Sequence, residues 1–328
     1  MNTNAALPLR TAAIATAVLL GATACGSSGA SSSTSKPKIT VILGTASDSF
    51  YNTLGCGAKA EGKKLGATVD VQGATTFDPA TQTPILTSTV AKNPNAIVIA
   101  PTDSKALGTP LKQAGQSGIK IVTADTGLDD TSFISSAVSS NNVEGGAEAA
   151  RTLAELVGEK GKVVIIGGTP GVTTADQRIK GFETEIKKHP GITFLGVQPS
   201  TPSGGVVEAA RLTAASLSKN PDLAGVFSIS TPASDGANNA IKDAGKSGQI
   251  KVVGFDAGPA QVTQLKKGTV QALIAQKAED IGAQAVQQAV NAVQGKKVTK
   301  SIGTSFVSIT AANLKDPAIS KYVYRSTC

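Results

Sequence analysis

A chain of 328 residues is long enough for two lobes of ordinary domain size. Charged residues make up 16 % of it, aromatics 3 %, tryptophan is absent and glycine numbers 35, which suits an α/β protein rich in tight turns and excludes a disordered chain. The net charge of +8 is dispersed, often as pairs at helix ends such as Lys63-Lys64 and Lys187-Lys188; no basic stripe interleaved with stacking aromatics exists, which excludes nucleic acid as a partner.

Residues 1–24 carry no acid and one base, Arg10. Their apolar run from Ala12 is too short to span a bilayer and has the length of a signal-peptide core. It ends in Ala22-Thr23-Ala24-Cys25-Gly26, and a Ser/Gly/Thr-rich tract follows. Small residues before a single Cys resemble the lipobox of bacterial lipoproteins, although Ala22 stands where Leu is usual. That resemblance implies lipidation of Cys25 at the mature N-terminus and a flexible tether over residues 25–37. An ordinary secretory signal cleaved nearby is the alternative, and export follows from either. Cys56 and Cys328 then remain, and two thiols in an exported chain point to one disulfide, with two free thiols as the alternative. The tail, residues 311–328, is long enough to reach back to the first helix.

The folded part begins near Lys38 with the strand ITVILG, the loop TASDSFYNT and a helix LGCGAKAEGKKLG that stops at Gly66. Strand VDVQG, a helix after a Pro/Asp start at FDPATQTPILTSTVAKN, strand AIVIAPTD, helix SKALGTPLKQAGQSG and strand IKIVTADTG follow. Asp103, in PTDS, reads as the cap of the following helix and not as a ligand contact, although its loop lies at the cleft. Beyond FISSAVSSNN comes the helix VEGGAEAARTLAELVGEK. A second series starts with GKVVIIGG, a loop TPGVTTADQ, and a helix opened by Arg178. Strand ITFLGVQPS, helix VVEAARLTAASLSKN, strand GVFSIS, helix SDGANNAIKDAG and strand IKVVGFDAG continue it. Then come helix PAQVTQLKKG, strand TVQALIAQ, the long helix DIGAQAVQQAVNAVQG and a closing strand near SFVSI. Strands alternating with helices at this spacing predict parallel, doubly wound sheets.

The two series echo each other. IKIVTADTG after LKQAGQSG matches IKVVGFDAG after IKDAGKSG, and the offset is nearly constant at Pro94/Pro221, Gly118/Gly248 and Asp125/Asp256. Each copy places a carboxylate at the C-terminal end of a strand, the edge where open α/β sheets bind ligands. Two such edges facing one another would form a cleft.

The runs TASDSFYNTLGCGAKAEGKKLG, IVIAPTDSKAL, QRIKGF, GKSGQIKVVGFDAGP and LIAQKAEDIGAQAV, in this order, resemble the type I periplasmic sugar-binding proteins of ABC importers, the ribose-binding group. The resemblance covers about Lys38 to Ile309 and implies two Rossmann-like lobes joined by three crossovers, near Ser140-Asn141, Gln276-Lys277 and Ser305-Phe306. On that pattern residues 38–140 with 277–305 form the N-terminal lobe, and 141–276 with 306–328 the C-terminal lobe and tail. It further implies that Phe50 and Tyr51 sandwich a sugar ring and that Asp125, Arg178, Asp256 and Gln276 bind its hydroxyls. Carboxylates and a guanidinium suit this task, because charge-assisted hydrogen bonds to hydroxyls are about twice as strong as neutral ones. Asp48 stands where relatives have Asn, Thr126 where they have Arg, Ser230-Thr231 where they have Asn-Asp, and Pro202 where they have an aromatic. Asp48, Thr126 and Ser230 are therefore expected at a ligand other than ribose. One base lost and one acid gained disfavour an anion, which leaves a neutral sugar or polyol.

GGTPGVTT fits neither a dinucleotide fingerprint nor a phosphate loop, so no cofactor is expected. With a lone His189, dispersed acids and no paired Cys spacing, neither a metal site nor a nucleophile–base pair is predicted, which argues against an enzyme. The expectation is a monomeric, membrane-anchored lipoprotein that hands its solute to an ABC permease. A sensor presenting a sugar-like or furanose-like signal to a membrane receptor is the alternative.

Overall fold

The computed structural model describes residues 36–201 and 204–328. The proposed signal peptide, Cys25, the tether as far as residue 35 and Pro202 lie outside the described residues. The first series runs β1 (Lys38–Leu43), α1 (Ser49–Lys64), β2 (Thr68–Gly73), α2 (Pro79–Ala91), β3 (Ala96–Ile99), α3 (Gly108–Gln116), β4 (Lys120–Ala124) and β5 (Ser136–Ser140). After α4 (Asn142–Leu156) the second runs β6 (Gly161–Ile166), α5 (Thr173–Ile186), β7 (Ile192–Gln198), α6 (Gly205–Lys219), β8 (Leu223–Ser228), α7 (Thr231–Asp243), β9 (Lys251–Phe255), α8 (Pro259–Lys266) and β10 (Ala272–Gln276). The chain closes with α9 (Ala278–Val293), β11 (Ser301–Thr304), β12 (Phe306–Thr310) and the short α10 (Pro317–Ser320).

Two six-stranded sheets result, ordered β11-β5-β4-β3-β1-β2 and β12-β10-β9-β8-β6-β7. The internal echo becomes a positional match, with β4 and β9 in equivalent places in the two sheets. Among the described residues only β12 runs antiparallel to its neighbour. Strands such as AIVI and ALIAQ are buried along their whole length, as sheets covered on both faces require. In the first lobe one face packs with α1 and α9 around Ile39, Leu54 and Ile281, and the other buries Ile97, Ile99 and Leu111. The second lobe likewise has a core on each face of its sheet.

The chain passes between the sheets after β5, after β10 and between β11 and β12. The first two passages exchange helices: α4 packs on the second sheet and α9 on the first. Each exchanged helix meets a neighbour backbone to backbone. Gly282 of α9 lies against the Leu54 carbonyl of α1 and Gly57 against Glu279; Gly146 of α4 lies against the Arg178 carbonyl of α5 and Gly181 against that of Val143. A Cβ at any of the four would collide with a main-chain oxygen.

Three local readings change. Helix α1 begins at Ser49, not Leu54, because the Asp48 side chain accepts from the Phe50 amide at 2.9 Å and caps it. Asp48, Phe50 and Tyr51 therefore belong to a helix start and not to a loop. Helix α5 opens at Thr173, which places Arg178 in its second turn. Helix α3 is shorter than predicted, since Asp103 Oδ1 accepts from the Lys105 and Ala106 amides and holds that segment as a turn.

The tail also departs from its assignment. Leu314, Ile319 and Val323 pack on the second lobe, but Tyr324 enters the first-lobe core beside Phe50. Cys328 is disulfide-bonded to Cys56 on α1.

Candidate functional site

The C-terminal strand edges of the two sheets face each other across a cavity of about 580 Å³, within the range of about 300–1,000 Å³ common for small-molecule sites. Asp125 follows β4 and Asp256 follows β9, and both hold left-handed backbone at φ 67° and 76°. Asp tolerates this conformation better than most residues. The Asp125 amide donates to Val138 O at 2.8 Å and the Asp256 amide to Ile274 O at 2.9 Å, so the neighbouring strand aims each acid.

The side chains are held differently. Tyr51 donates to Asp125 Oδ2 at 2.8 Å, while Asp125 Oδ1 is buried without a partner among the described residues. Asp256 Oδ1 accepts from Gln276 Nε2 at 2.8 Å and from Tyr324 Oη at 3.0 Å. Arg178 donates through Nε to Asn142 Oδ1 at 2.8 Å and through Nη1 to Ile229 O at 3.0 Å, and its guanidinium lies 3.7 Å from the Phe255 ring centroid. Stacking and two hydrogen bonds fix the guanidinium plane, leaving Nη2 without a protein acceptor among the described residues.

Among the described residues, four acids, Asp48, Asp125, Asp235 and Asp256, line this cavity against the single cation Arg178. Burial, reinforced by Asp256, pushes the Asp48 carboxyl up to about 7. Burial also raises Asp125 to about 6, against the opposing pull of Arg178 and the Tyr51 hydrogen bond. Tyr51 is raised well above its ordinary value by burial and by the adjacent Asp125, so it stays a donor. Asp235 is raised by burial, partly offset by the hydrogen bond from Gln264.

The structure brings Asp48, Phe50, Tyr51, Asp125, Arg178, Ser230, Asp256 and Gln276 to the cavity wall. Thr126 does not belong there. Its hydroxyl donates to Pro101 O at 2.7 Å and its side chain is buried away from the cleft. Phe50 and Tyr51 do not form a sandwich either, because neighbours on one helix share one wall. Their rings stand edge to face at 73°. Gln276 donates to Asp256 through Nε2 at 2.8 Å and accepts from Ser140 Oγ at 2.8 Å, and so orients an acid at a crossover.

Sequence reasoning missed Phe77, which stacks on Tyr51 at 6.2 Å, and Asp235, one turn into α7. It also missed Asn142, which orients Arg178, and Tyr324, which holds Asp256. Asn142 had a signal, its place directly after a crossover strand. Tyr324 had none short of the path of the tail.

The lobes meet at the mouth opposite the crossovers. The Ser104 amide donates to Gly171 O at 3.1 Å and the Gly127 amide to Thr173 Oγ1 at 2.8 Å, so the lobes are hydrogen-bonded to each other there.

The periplasmic binding protein domain family matches residues 39–297. The ribose import binding protein RbsB of Escherichia coli (strain K12) is 30% identical over 282 residues, covering 86% of this chain and 93% of that one. The chain belongs to the type I periplasmic sugar-binding proteins. A solved solute-binding protein from Agrobacterium vitis, bound with alpha-D-tagatopyranose, is 41% identical with a TM-score of 0.85, covering 88% of this binding protein and 100% of that one. Another from Agrobacterium radiobacter, in complex with D-arabinose, is 30% identical with a TM-score of 0.83, covering 89% and 100% of the respective chains. The two-lobed fold of this binding protein is therefore the one the resemblance implied, and its family is one of transport binding proteins, not enzymes.

Proposed function

We propose that this protein is the exported solute-binding lipoprotein of an ABC importer, that it captures a neutral monosaccharide or polyol between closing lobes, and that it delivers this solute to a membrane permease. The observation that carries the ligand class is the placing of Asp125 from one lobe and of Asp256 and Arg178 from the other around one cavity. Carboxylates and a guanidinium make charge-assisted hydrogen bonds to hydroxyls. A hydroxyl on Asp125, a second on Asp256 and a ligand oxygen facing Arg178 Nη2 describe a polyhydroxylated molecule that touches both lobes. Four acids against one arginine disfavour sugar acids and sugar phosphates. Relatives solved with D-tagatose, D-arabinose and D-allose set the size of the candidates.

A thermal-shift screen over pentoses, hexoses, polyols and their phosphates tests the reading, because a ligand that binds only the folded state raises the melting temperature by mass action. A neutral sugar should give the largest rise; a screen won by a sugar phosphate would overturn it. Membrane anchoring through Cys25 is part of the same proposal, and mass spectrometry of the mature protein should find acyl chains on that residue. Elution as a monomer from a sizing column is expected.

A further inference from the structure

We propose that residues 324–328 form a fourth, covalently locked crossing between the lobes, in which Tyr324 is a positioning residue for Asp256 and for the hinge. The three other crossings are continuous chain at Ser140–Asn142, Gln276–Ala278 and Thr304–Phe306. The tail makes its own passage between Val323, packed on the second lobe, and Tyr324, packed in the core of the first.

Tyr324 is 3 % exposed and stitches three parts together. Its amide donates to Ala257 O at 3.0 Å, next to the second-lobe acid. Its hydroxyl accepts from the Gln276 amide at 2.9 Å, at the end of a crossover strand, and donates to Asp256 Oδ1. Burial, with Asp256 adding to it, lifts this phenol well above its ordinary value, so the hydroxyl keeps its proton. Since Gln276 Nε2 also donates to Oδ1, that oxygen is saturated and the ligand is left with Oδ2. Tyr324 thereby decides which carboxylate oxygen the solute meets.

The next residues fasten the tail to the other lobe. The Arg325 amide donates to Thr53 Oγ1 at 2.7 Å on α1, and the Arg325 side chain pairs with Glu279 on α9. Ser326 reaches the cavity wall, and Cys328 closes the strap on Cys56. A disulfide placed beside the hinge, between the end of a second-lobe tail and a first-lobe helix, restrains lobe opening without touching the solute.

Residue-resolved hydrogen exchange and X-ray scattering on the sugar-free protein test this, so the first arm does not depend on the ligand reading. In Tyr324→Phe the Gln276 amide loses its acceptor, and its exchange should accelerate about tenfold. In the Cys56→Ser/Cys328→Ser protein the same amide should exchange faster and the radius of gyration should rise. Calorimetry with D-tagatose, D-arabinose, D-allose and D-ribose forms the second arm; any sugar that binds wild type should bind Tyr324→Phe about tenfold more weakly. Gln276 exchange and radius of gyration unchanged in both variants would overturn the strap. If the first arm responds and none of the sugars binds wild type, the strap stands and the sugar reading falls.

Discussion

Asp125 and Asp256 are the same position built twice, one at the end of β4 and one at the end of β9, with matching left-handed backbone and amides tied to the next strand. Their side chains are not equivalent. Asp256 is braced before any ligand arrives, with two donors on one oxygen. Asp125 has one donor and leaves its other oxygen buried and bare. The duplication therefore supplies two carboxylates, and the surroundings make one a fixed anchor and the other a group that burial makes costly to ionise.

The largest effect should come from breaking the anchor. Asp256→Ala removes a charged acceptor from the solute and orphans Gln276 Nε2 and Tyr324 Oη, so sugar affinity should fall by about 3 kcal/mol in calorimetry. An unchanged dissociation constant would refute the role of this acid. Asp125→Asn keeps the left-handed backbone, which Asn tolerates, and keeps an acceptor for Tyr51. It should cost about 1.5 kcal/mol of affinity and at the same time raise the melting temperature of the sugar-free protein, because the disfavoured charge is gone. A lowered melting temperature would show that Asp125 is braced as Asp256 is.

Acidification sharpens the comparison without a mutation. Asp48 at about 7 and Asp125 at about 6 both lie above the ordinary carboxylate value of 3.8. The folded protein thus binds more protons than the unfolded chain between about pH 4 and pH 7, and their contribution to stability is present below that window and lost as pH rises through it. Between pH 7.5 and pH 5 the sugar-free protein should therefore gain stability while sugar affinity falls, as the acids lose the charge that strengthens their hydrogen bonds. Asp48→Asn combined with Asp125→Asn should flatten both trends. The smallest effect belongs to the mouth, where Thr173→Ala deletes a hydrogen bond between the lobes and should weaken affinity by about 1 kcal/mol, with little change in the sugar-free melting temperature.

What could be read from the sequence follows from what fixes each feature. Continuous apolar runs and their alternation with helices are local, so both sheets were foreseeable, as was the paired placement of Asp125 and Asp256 at strand ends. Side-chain direction is not local. Thr126 directly follows a site acid, yet it turns inward because Pro101 O offers an acceptor in the loop after β3. The resemblance implies Phe50 and Tyr51 on two faces of a ring, but a cap at Asp48 starts the helix early and sets them side by side. Phe77 precedes the Asp78 cap of α2 and reads in sequence as part of a helix start, although it supplies the ring that stacks on Tyr51. The role of Tyr324 depends on the three-dimensional course of the tail.

The four glycines at which α1 meets α9 and α4 meets α5 bear on how closure is transmitted. α4 and α9 start immediately after two of the crossovers, and their partners α1 and α5 carry Tyr51 and Arg178. With main chain on main chain and no side chain between, each couple turns as one body, and a rotation at the hinge reaches the pocket wall without the slack of flexible side chains. Hinge and pocket are geared to each other through missing side chains. A single methyl group at Gly57, Gly146, Gly181 or Gly282 would force its couple apart and shift a wall of the site from a position no solute contacts.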